Sequence, residues 1–322
     1  MTLSVTKKQR GLSLIELMIA IVLGLFITAG MIQLFINSKQ AYRVQENLSR
    51  VQENGRFAME FLARDIRMAG YWGCLGGTTT IQNNLNPAAA SILNEIVATD
   101  NDGLNNSDSI SITRADLASV AVVKTPSSKS ANLKVTAGSG LEQNDIVIVL
   151  DCTSGDLFQI TNDPTKSTKD GKDEFVHNSG SVSDGPGNAN SNFQKKYSTD
   201  AKIHKIRNIE YYISLNPGEQ PALYRRLNGN LGQELVEGIE NMQILYGIDT
   251  DDNNTANSYV PFSAGLDLNN AMSIRISILA TTLEDNLAIE SSSTTLDTYT
   301  SPNDRKIRRI FTSTIALRNR LP

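Results

Sequence analysis

The sequence has few of the residues from which metal sites and catalytic triads are built. Its 322 residues include two histidines, His177 and His204, and neither has neighbours at the spacing of zinc ligands or of a nucleophile's partners. No Gly-x-Ser-x-Gly motif, phosphate-binding loop or dinucleotide-binding glycine motif occurs. We therefore predict a protein that is not an enzyme and needs no cofactor.

A global excess of basic residues, which is typical of nucleic-acid-binding proteins, is also missing. The chain has 30 Lys and Arg against 34 Asp and Glu, a formal net charge of −4. Its basic clusters, Lys195-Lys196, Arg225-Arg226 and residues 305–309, are short and lie in an acidic chain. Binding of DNA needs a basic patch, so we expect no nucleic-acid partner.

Cysteine is rare as well, with Cys74 and Cys152 the two in the chain. In an exported protein, two thiols indicate a disulfide first. In the cytosol they indicate buried apolar residues or, less often, reactive groups. The choice between these interpretations depends on the compartment, which the N-terminal segment indicates.

Charge is almost absent from residues 12–36, where Glu16 is the one charged residue. A membrane-spanning helix needs about 20 apolar residues, so this run is long enough. A secretory signal has a shorter apolar region, about 7 to 15 residues, followed by a small-x-small cleavage site. No such site interrupts this run, and we predict a transmembrane helix over residues 12–36.

The residues before this helix indicate its orientation. Lys7, Lys8 and Arg10 place the N-terminus on the cytoplasmic side by the positive-inside rule. Residues 37–322 then lie across the inner membrane, in an oxidising compartment. We therefore predict that the two cysteines form a disulfide.

An acid inside a membrane segment needs an explanation. A carboxylate at the centre of a bilayer costs about 2.5 to 3.5 kcal/mol, and less near the interface. Glu16 could be tolerated at the level of the headgroups. Alternatively, a cut after Gly11 would place a new ammonium on Leu12, four residues before the acid. Copies packed side by side would then bring one subunit's ammonium near another's carboxylate.

The residues around this acid form a recognisable pattern: Lys7-Lys8-Gln9-Arg10-Gly11, then Leu12-Ser13-Leu14-Ile15-Glu16. The pattern resembles the type III signal that prepilin peptidase cleaves in type IV pilins and type II secretion pseudopilins. The resemblance implies a leader peptide over residues 1–11, cleavage between Gly11 and Leu12, and N-methylation of the new terminus. It also implies that Glu16 pairs with the amine on Leu12 of a neighbouring subunit. The residues Leu12 and Gln33, where major pilins generally have Phe and often Pro, point away from a major pilin.

The apolar run leads into a stretch with helical periodicity. Residues 37–69 contain no proline and one glycine, Gly55, and their apolar residues recur at helical spacing. We predict that an amphipathic helix over 37–69 continues the transmembrane helix as one rod, about 85 Å long at the helical rise. Such a rod is the shape that a pilin requires.

Further segments resemble the PilW group of minor pilins. They are residues 53–71 followed by Gly73-Cys74, residues 235–240 and 244–249, Arg308-Arg309-Ile310-Phe311 and Leu317-Arg318-Asn319-Arg320, with a central match around Asp151-Cys152. The resemblance is weak across residues 75–140 and 162–200. It implies a minor pilin that takes part in priming type IV pilus assembly and sits in the tip complex.

The resemblance also implies partners and a location. The chain would be cut by prepilin peptidase and wait in the inner membrane with its body in the periplasm. It would then join other minor pilins and the major pilin at the inner-membrane assembly platform and reach the pilus tip on the cell surface. A large tip adhesin is a further candidate partner.

Other functions share parts of this pattern. A type II secretion pseudopilin has the same signal and helix, although residues 53–71 and the Arg318-Asn319-Arg320 end favour the pilus. A minor pilin that binds DNA or a surface is a further alternative. A plain membrane-anchored protein would not be cleaved and would keep Met1.

After Gly70, short β-type runs replace helical periodicity. They are 109–113, 120–124, 133–136, 146–150, 157–161, 209–215, 222–226, 242–246, 272–280 and 307–317. Within them, residues 273–278 alternate strictly between polar and apolar, as a half-buried antiparallel strand does. We predict an α+β fold, with an antiparallel β body over 70–322 packed on the outer half of the helix. Residues 162–200, rich in Ser, Asn, Asp, Lys and Gly, are predicted to form a solvated loop or insertion.

One acidic segment is a candidate metal site. Asp249, Asp251 and Asn253 match the first three ligand positions of an EF-hand loop. Asn254 replaces the glycine of its sixth position, and Val260 replaces the bidentate Glu of its twelfth. These departures favour a hydrogen-bonded turn, with calcium binding as the alternative.

Overall fold

The computed structural model describes residues 13–76, 78, 80–87, 92–167, 171–182, 184–251 and 253–320. The predicted leader cluster and cleavage site, Lys7, Lys8, Arg10, Gly11 and Leu12, lie outside these residues. The rest of the predicted rod and nearly all of the body lie within them.

One helix, α1, runs without interruption from Leu14 to Ile66, which is 53 residues. Every residue from 13 to 42 is exposed, whereas buried positions recur from residue 47 onwards. Within the described part of the chain, α1 is the helix that is long and apolar enough to cross a membrane. The predicted long rod, apolar in its first half and packed on the body in its second, is confirmed.

The body contains sixteen strands within the described residues. They are β1 Ile81–Asn83, β2 Ile96–Thr99, β3 Ser109–Lys124, β4 Leu133–Thr136, β5 Ile146–Leu150, β6 Gly155–Gln159, β7 Lys172–Phe175, β8 Lys202–Leu215, β9 Pro221–Leu227, β10 Gln233–Glu237, β11 Ile239–Ile248, β12 Ser258–Pro261, β13 Ala271–Thr281, β14 Thr295–Leu296, β15 Tyr299–Thr300 and β16 Arg308–Ala316.

These strands form two main sheets and a small hairpin. The larger sheet has the order β1-β6-β5-β8-β3-β4-β7, with β2 added to β3, and β9 and then β10 added to β8. The smaller sheet has the order β12-β11-β13-β16, and β14 pairs with β15. Apart from the parallel pair β1–β6, the strand pairs in these sheets are antiparallel. The predicted α+β class is therefore confirmed.

The second half of α1 packs on the smaller sheet through one face. The buried residues of that face are Val51, Gly55, Ala58, Leu62 and Ile66, spaced by three or four residues. This spacing places them one above another on a helix. The apolar members belong to one hydrophobic cluster with the inward side chains of β11, β13 and β16.

Gly55 permits the closest approach between the helix and the sheet. A Cβ atom at this position would lie 2.3 Å from the Phe311 ring on β16. That distance is shorter than two carbon atoms can adopt, so any side chain at 55 would displace the ring. The single glycine of the amphipathic half is thus a packing position.

The prediction that residues 162–200 form a solvated loop or insertion is wrong for part of the segment. Strand β7 pairs with β4, and Phe175, Phe193 and Tyr197 are buried in a second hydrophobic cluster. His177 is buried beside them and stacks on Phe193, with ring centroids 4.0 Å apart. Burial lowers the pKa of His177 to about 4, although nearby backbone carbonyls oppose the shift.

Polar side chains in this segment replace strand contacts, which explains why its composition misled the prediction. The Asn188 side chain accepts a hydrogen bond from the Gln159 backbone N–H at 2.8 Å and donates one to the Gln159 carbonyl at 2.9 Å. Both groups are buried, so the asparagine pairs with β6 as a strand neighbour would. A polar sequence can therefore be part of the folded core when its groups are hydrogen-bonded.

Candidate assembly site: the N-terminal helix and its ties to the body

Helix α1 begins with a capping box made by Ser13 and Glu16. The Ser13 hydroxyl accepts a hydrogen bond from the Glu16 backbone N–H at 3.3 Å. In return, the Glu16 carboxylate accepts from the Ser13 backbone N–H at 2.9 Å and from its hydroxyl at 3.1 Å. The pair satisfies N–H groups that a helix start leaves open, and the negative charge lies at the positive end of the helix dipole.

The capping box is a role for Glu16 that the sequence analysis missed, although Ser-x-x-Glu before an apolar run is its signal. Both hydrogen bonds from Ser13 end on Oε2 of Glu16. The proposed partner of the carboxylate, the amine on Leu12 of another subunit, lies outside the described residues. The intersubunit pair therefore remains a prediction.

The first half of α1 presents an apolar surface on all sides. Leu14 and Phe26 have exposed fractions of 77% and 75%, and the other large apolar residues of 14–36 are at least half exposed. A continuous apolar surface of this length is not stable in water and needs lipid or other apolar helices around it.

The last turn of α1 is tied to the larger sheet by a buried hydrogen bond. The Tyr211 hydroxyl on β8 donates to the Asp65 carboxylate at 2.6 Å, and the Arg114 guanidinium lies 3.9 Å from the same carboxylate. Burial raises the pKa of Tyr211, and the neighbouring Asp65 charge adds to the shift. Both effects favour the neutral hydroxyl, which is the form that donates this hydrogen bond.

The C-terminal Arg-Asn-Arg motif binds the end of the helix. The Asn319 side chain donates to the Ala69 carbonyl at 3.0 Å, just beyond α1. Arg320 donates to the Glu95 carboxylate at 2.8 Å, and the Trp72 indole donates to the same carboxylate at 3.2 Å. In this chain the motif therefore has a structural role, which is to fasten the C-terminus to the helix end.

Midway along α1, a long connection between β13 and β16 reaches the helix. The Arg43 guanidinium is 2.8 Å from the Glu284 carboxylate, and the Gln40 side chain donates to the Asn286 carbonyl at 3.4 Å. This connection is fixed at its other end by Arg308, which forms ion pairs with Glu240 and Asp304.

The predicted disulfide is present. Cys74 and Cys152 are bonded, with their Cα atoms 4.9 Å apart and 78 positions apart in the sequence. Cys74 follows the turn after α1, and Cys152 follows β5, so the bond joins the helix end to the larger sheet. Beside it, Lys195 pairs with the Asp151 carboxylate.

The candidate calcium segment forms a hydrogen-bonded turn. The Asp249 carboxylate accepts from the backbone N–H groups of Asp251 at 3.2 Å, Asn253 at 3.3 Å and Asn254 at 2.6 Å. The Asp249 oxygens that would ligate a cation are thus engaged with the chain's own backbone, as in a hydrogen-bonded turn. Among the residues that the structure describes, no three His, Cys, Asp or Glu side chains are grouped as metal ligands.

Two family models match the chain. Residues 6–32 match the prokaryotic N-terminal methylation motif, and residues 210–319 match the type IV pilus-assembly protein W family, PilW. The resemblance to PilW is confirmed. The two matches support a type IV pilus minor pilin, which is a structural component of the pilus. No curated protein and no solved structure shows a significant match.

The matched segments correspond to distinct parts of the fold. Residues 6–32 include the last six residues of the predicted leader and most of the exposed half of α1. Residues 210–319 run from the middle of β8 to the C-terminal tie and include the whole sheet that packs on α1. The second hydrophobic cluster, drawn from residues 120–203, lies outside both matches. The PilW-like part therefore includes the sheet on which the second half of the helix packs.

Proposed function

We propose that this minor pilin takes part in priming type IV pilus assembly and occupies the tip of the fibre. The observation that carries the proposal is the second hydrophobic cluster, formed by residues 120–203 with no member from α1. It adds bulk to the body beyond the part that packs on the helix. A subunit repeated along a shaft must fit between neighbours on every side, whereas a tip subunit has free space above it.

The N-terminal half of α1 supports a sequence of steps before assembly. Prepilin peptidase cuts between Gly11 and Leu12, and the subunit waits in the inner membrane with its body in the periplasm. Other minor pilins then replace lipid around the exposed apolar surface of residues 14–36. After these minor pilins have assembled, the major pilin joins them at the inner-membrane assembly platform.

Deletion of the gene tests the priming role. We expect fewer surface pili, counted by electron microscopy, in a strain that retracts pili and in one whose retraction is blocked. Expression of the wild-type chain should restore the number. Unchanged piliation in both backgrounds would contradict the proposal.

Three substitutions at the helix start separate the two roles of Glu16. Glu16→Ala removes the cap and the charge, Glu16→Gln removes the charge but can keep the capping box, and Ser13→Ala removes the cap but keeps the charge. If the carboxylate pairs with a neighbour's amine, both Glu16 variants should enter sheared pili several-fold less than wild type, while Ser13→Ala should enter normally.

Immunoblotting of pilus and membrane fractions measures this incorporation. All three variants should still insert and be cleaved, because the cap contributes only about 1 kcal/mol. Wild-type incorporation of Glu16→Gln, with a defect in Ser13→Ala, would show that the acid acts as a helix cap alone.

A further inference from the structure

One large apolar side chain stands out on the surface of the body near the membrane segment. Ile289, in the connection between β13 and β16, has an exposed fraction of 93%. Isolated exposed apolar residues are common and carry no function by themselves. Ile289 is distinguished by its place in the chain, three residues after Asn286, which contacts Gln40 of α1.

Contacts with α1 fix the position of the β13–β16 connection along the helix axis. Glu284 contacts Arg43, and two residues later Asn286 contacts Gln40, so the chain descends along the helix towards its N-terminal half. The next residues are held by Arg305, whose carbonyl accepts from the backbone N–H groups of Leu287 and Ala288. Beyond these ties, residues 289–291 are exposed.

The rise per residue of α1 gives the distance of these contacts from the end of the apolar run. Gln40 follows Ile36, the last residue of the apolar run, by four residues, which is about 6 Å along the axis. The headgroup layer on each side of the hydrocarbon is also about 6 Å thick. With Ile36 at the edge of the hydrocarbon, the contact between Gln40 and Asn286 is at the level of the lipid headgroups.

We propose that residues 284–291, the Ile289 loop, rest on the outer surface of the inner membrane and place Ile289 at the boundary between headgroups and acyl chains. The inference rests on the proposed anchoring of α1 in that membrane. One isoleucine is a weak anchor on its own. Because α1 already holds the loop at the surface, the contact needs no separate binding event and limits the tilt of the body.

A site-specific label tests this contact in the full chain. Both native cysteines are in the disulfide, so Ile289→Cys introduces one free thiol for a fluorescent label. The variant is reconstituted in vesicles of phosphatidylethanolamine and phosphatidylglycerol, and quenching by lipids with a spin label near the headgroup is measured. We expect several-fold stronger quenching at 289 than at a matched exposed position far from the membrane.

Leu231→Cys is the matched control. Leu231 is 97% exposed in the β9–β10 turn. That turn is tied to the far end of α1, since Asn228 bonds to Asn208, which bonds to Thr113, and Thr113 accepts from Gly70. The end of α1, at Ile66, is about 40 Å along the helix axis from Gln40.

Leu25→Cys, at an exposed position in the middle of the apolar run, is measured with lipids that carry the spin label deep in the acyl chain, and it reports whether α1 itself is in the bilayer. Quenching at 25 and 289 but not at 231 is the expected result. Quenching at 25 with none at 289 would overturn the loop contact and leave the anchoring intact, and would favour a neighbouring pilin as the occupant. A label at 25 that lipid does not quench would overturn the anchoring, and the loop contact with it.

Discussion

Replacing Arg308 with alanine is expected to lower the free energy of unfolding by about 3 to 5 kcal/mol, because a buried charge loses its partner. The Arg308 side chain is 3% exposed, and it lies 2.7 Å from the Glu240 carboxylate and 2.6 Å from that of Asp304. The Tyr299 hydroxyl also donates to Glu240 at 2.7 Å. Alanine would leave two acids facing each other without a cation.

Chemical unfolding of the detergent-solubilised chain measures the loss. Trp72 is the one tryptophan in the sequence and is buried, so its fluorescence reports on the folded body. Arg309→Ala is the matched control, since Arg309 is the exposed neighbour on the same strand, and it should have little effect. Equal losses for the two variants would contradict the buried network.

At acidic pH, the difference in the free energy of unfolding between the wild type and Arg308→Ala should become smaller. Hydrogen bonds from Arg308 lower the pKa of Asp304. A carboxyl group whose pKa is lowered on folding stabilises the protein above its unfolded pKa, about 3.9, and loses that contribution as the pH falls through its folded pKa. The wild type thus loses this contribution below about pH 4, and the variant, in which only Lys306 still lowers the pKa of Asp304, has less to lose.

Removing the disulfide, by Cys74→Ser together with Cys152→Ser, is expected to lower the free energy of unfolding by about 4 kcal/mol. The bond closes a loop of 78 residues, and opening it returns conformational freedom to the unfolded chain. Both cysteines are exposed, so a reductant should reach the bond in the folded protein.

Dithiothreitol provides the internal control for this experiment. The wild-type chain in reductant should unfold at the denaturant concentration of the double variant, and the variant should be unaffected by reductant. A wild-type midpoint that reductant does not move would show that the bond adds nothing to stability.

The bounds of a strand could be predicted where its run of apolar or alternating residues coincides with the residues that pair in the sheet. Strands β4 and β5 have the predicted bounds, because each is a short apolar or alternating run between turn residues. Strand β3 was predicted as two runs, 109–113 and 120–124. Its pairing with β8 shifts register between Ala115 and Ser119, and the alternation breaks at the same place.

The site residues also divide into those that a local sequence pattern predicts and those that it does not. The Ser13–Glu16 cap is local and has a sequence signal. Arg308 and Glu240 are 68 residues apart, and both would be assigned to the surface from their type alone. Their burial follows from their mutual pairing, which no local pattern indicates.

The sequence by itself determined the long helix, its apolar half, the prepilin-like signal and the one disulfide that two cysteines allow. Each depends on local periodicity, on a contiguous motif or on a covalent choice with a single outcome. The tertiary structure alone decided that Asp173 and Asn188 are buried in the body, that the Arg308 side chain is buried, and that the connection between β13 and β16 contacts the middle of α1. These outcomes depend on distant partners that satisfy buried polar groups and on the path of a connection, neither of which a local sequence pattern contains.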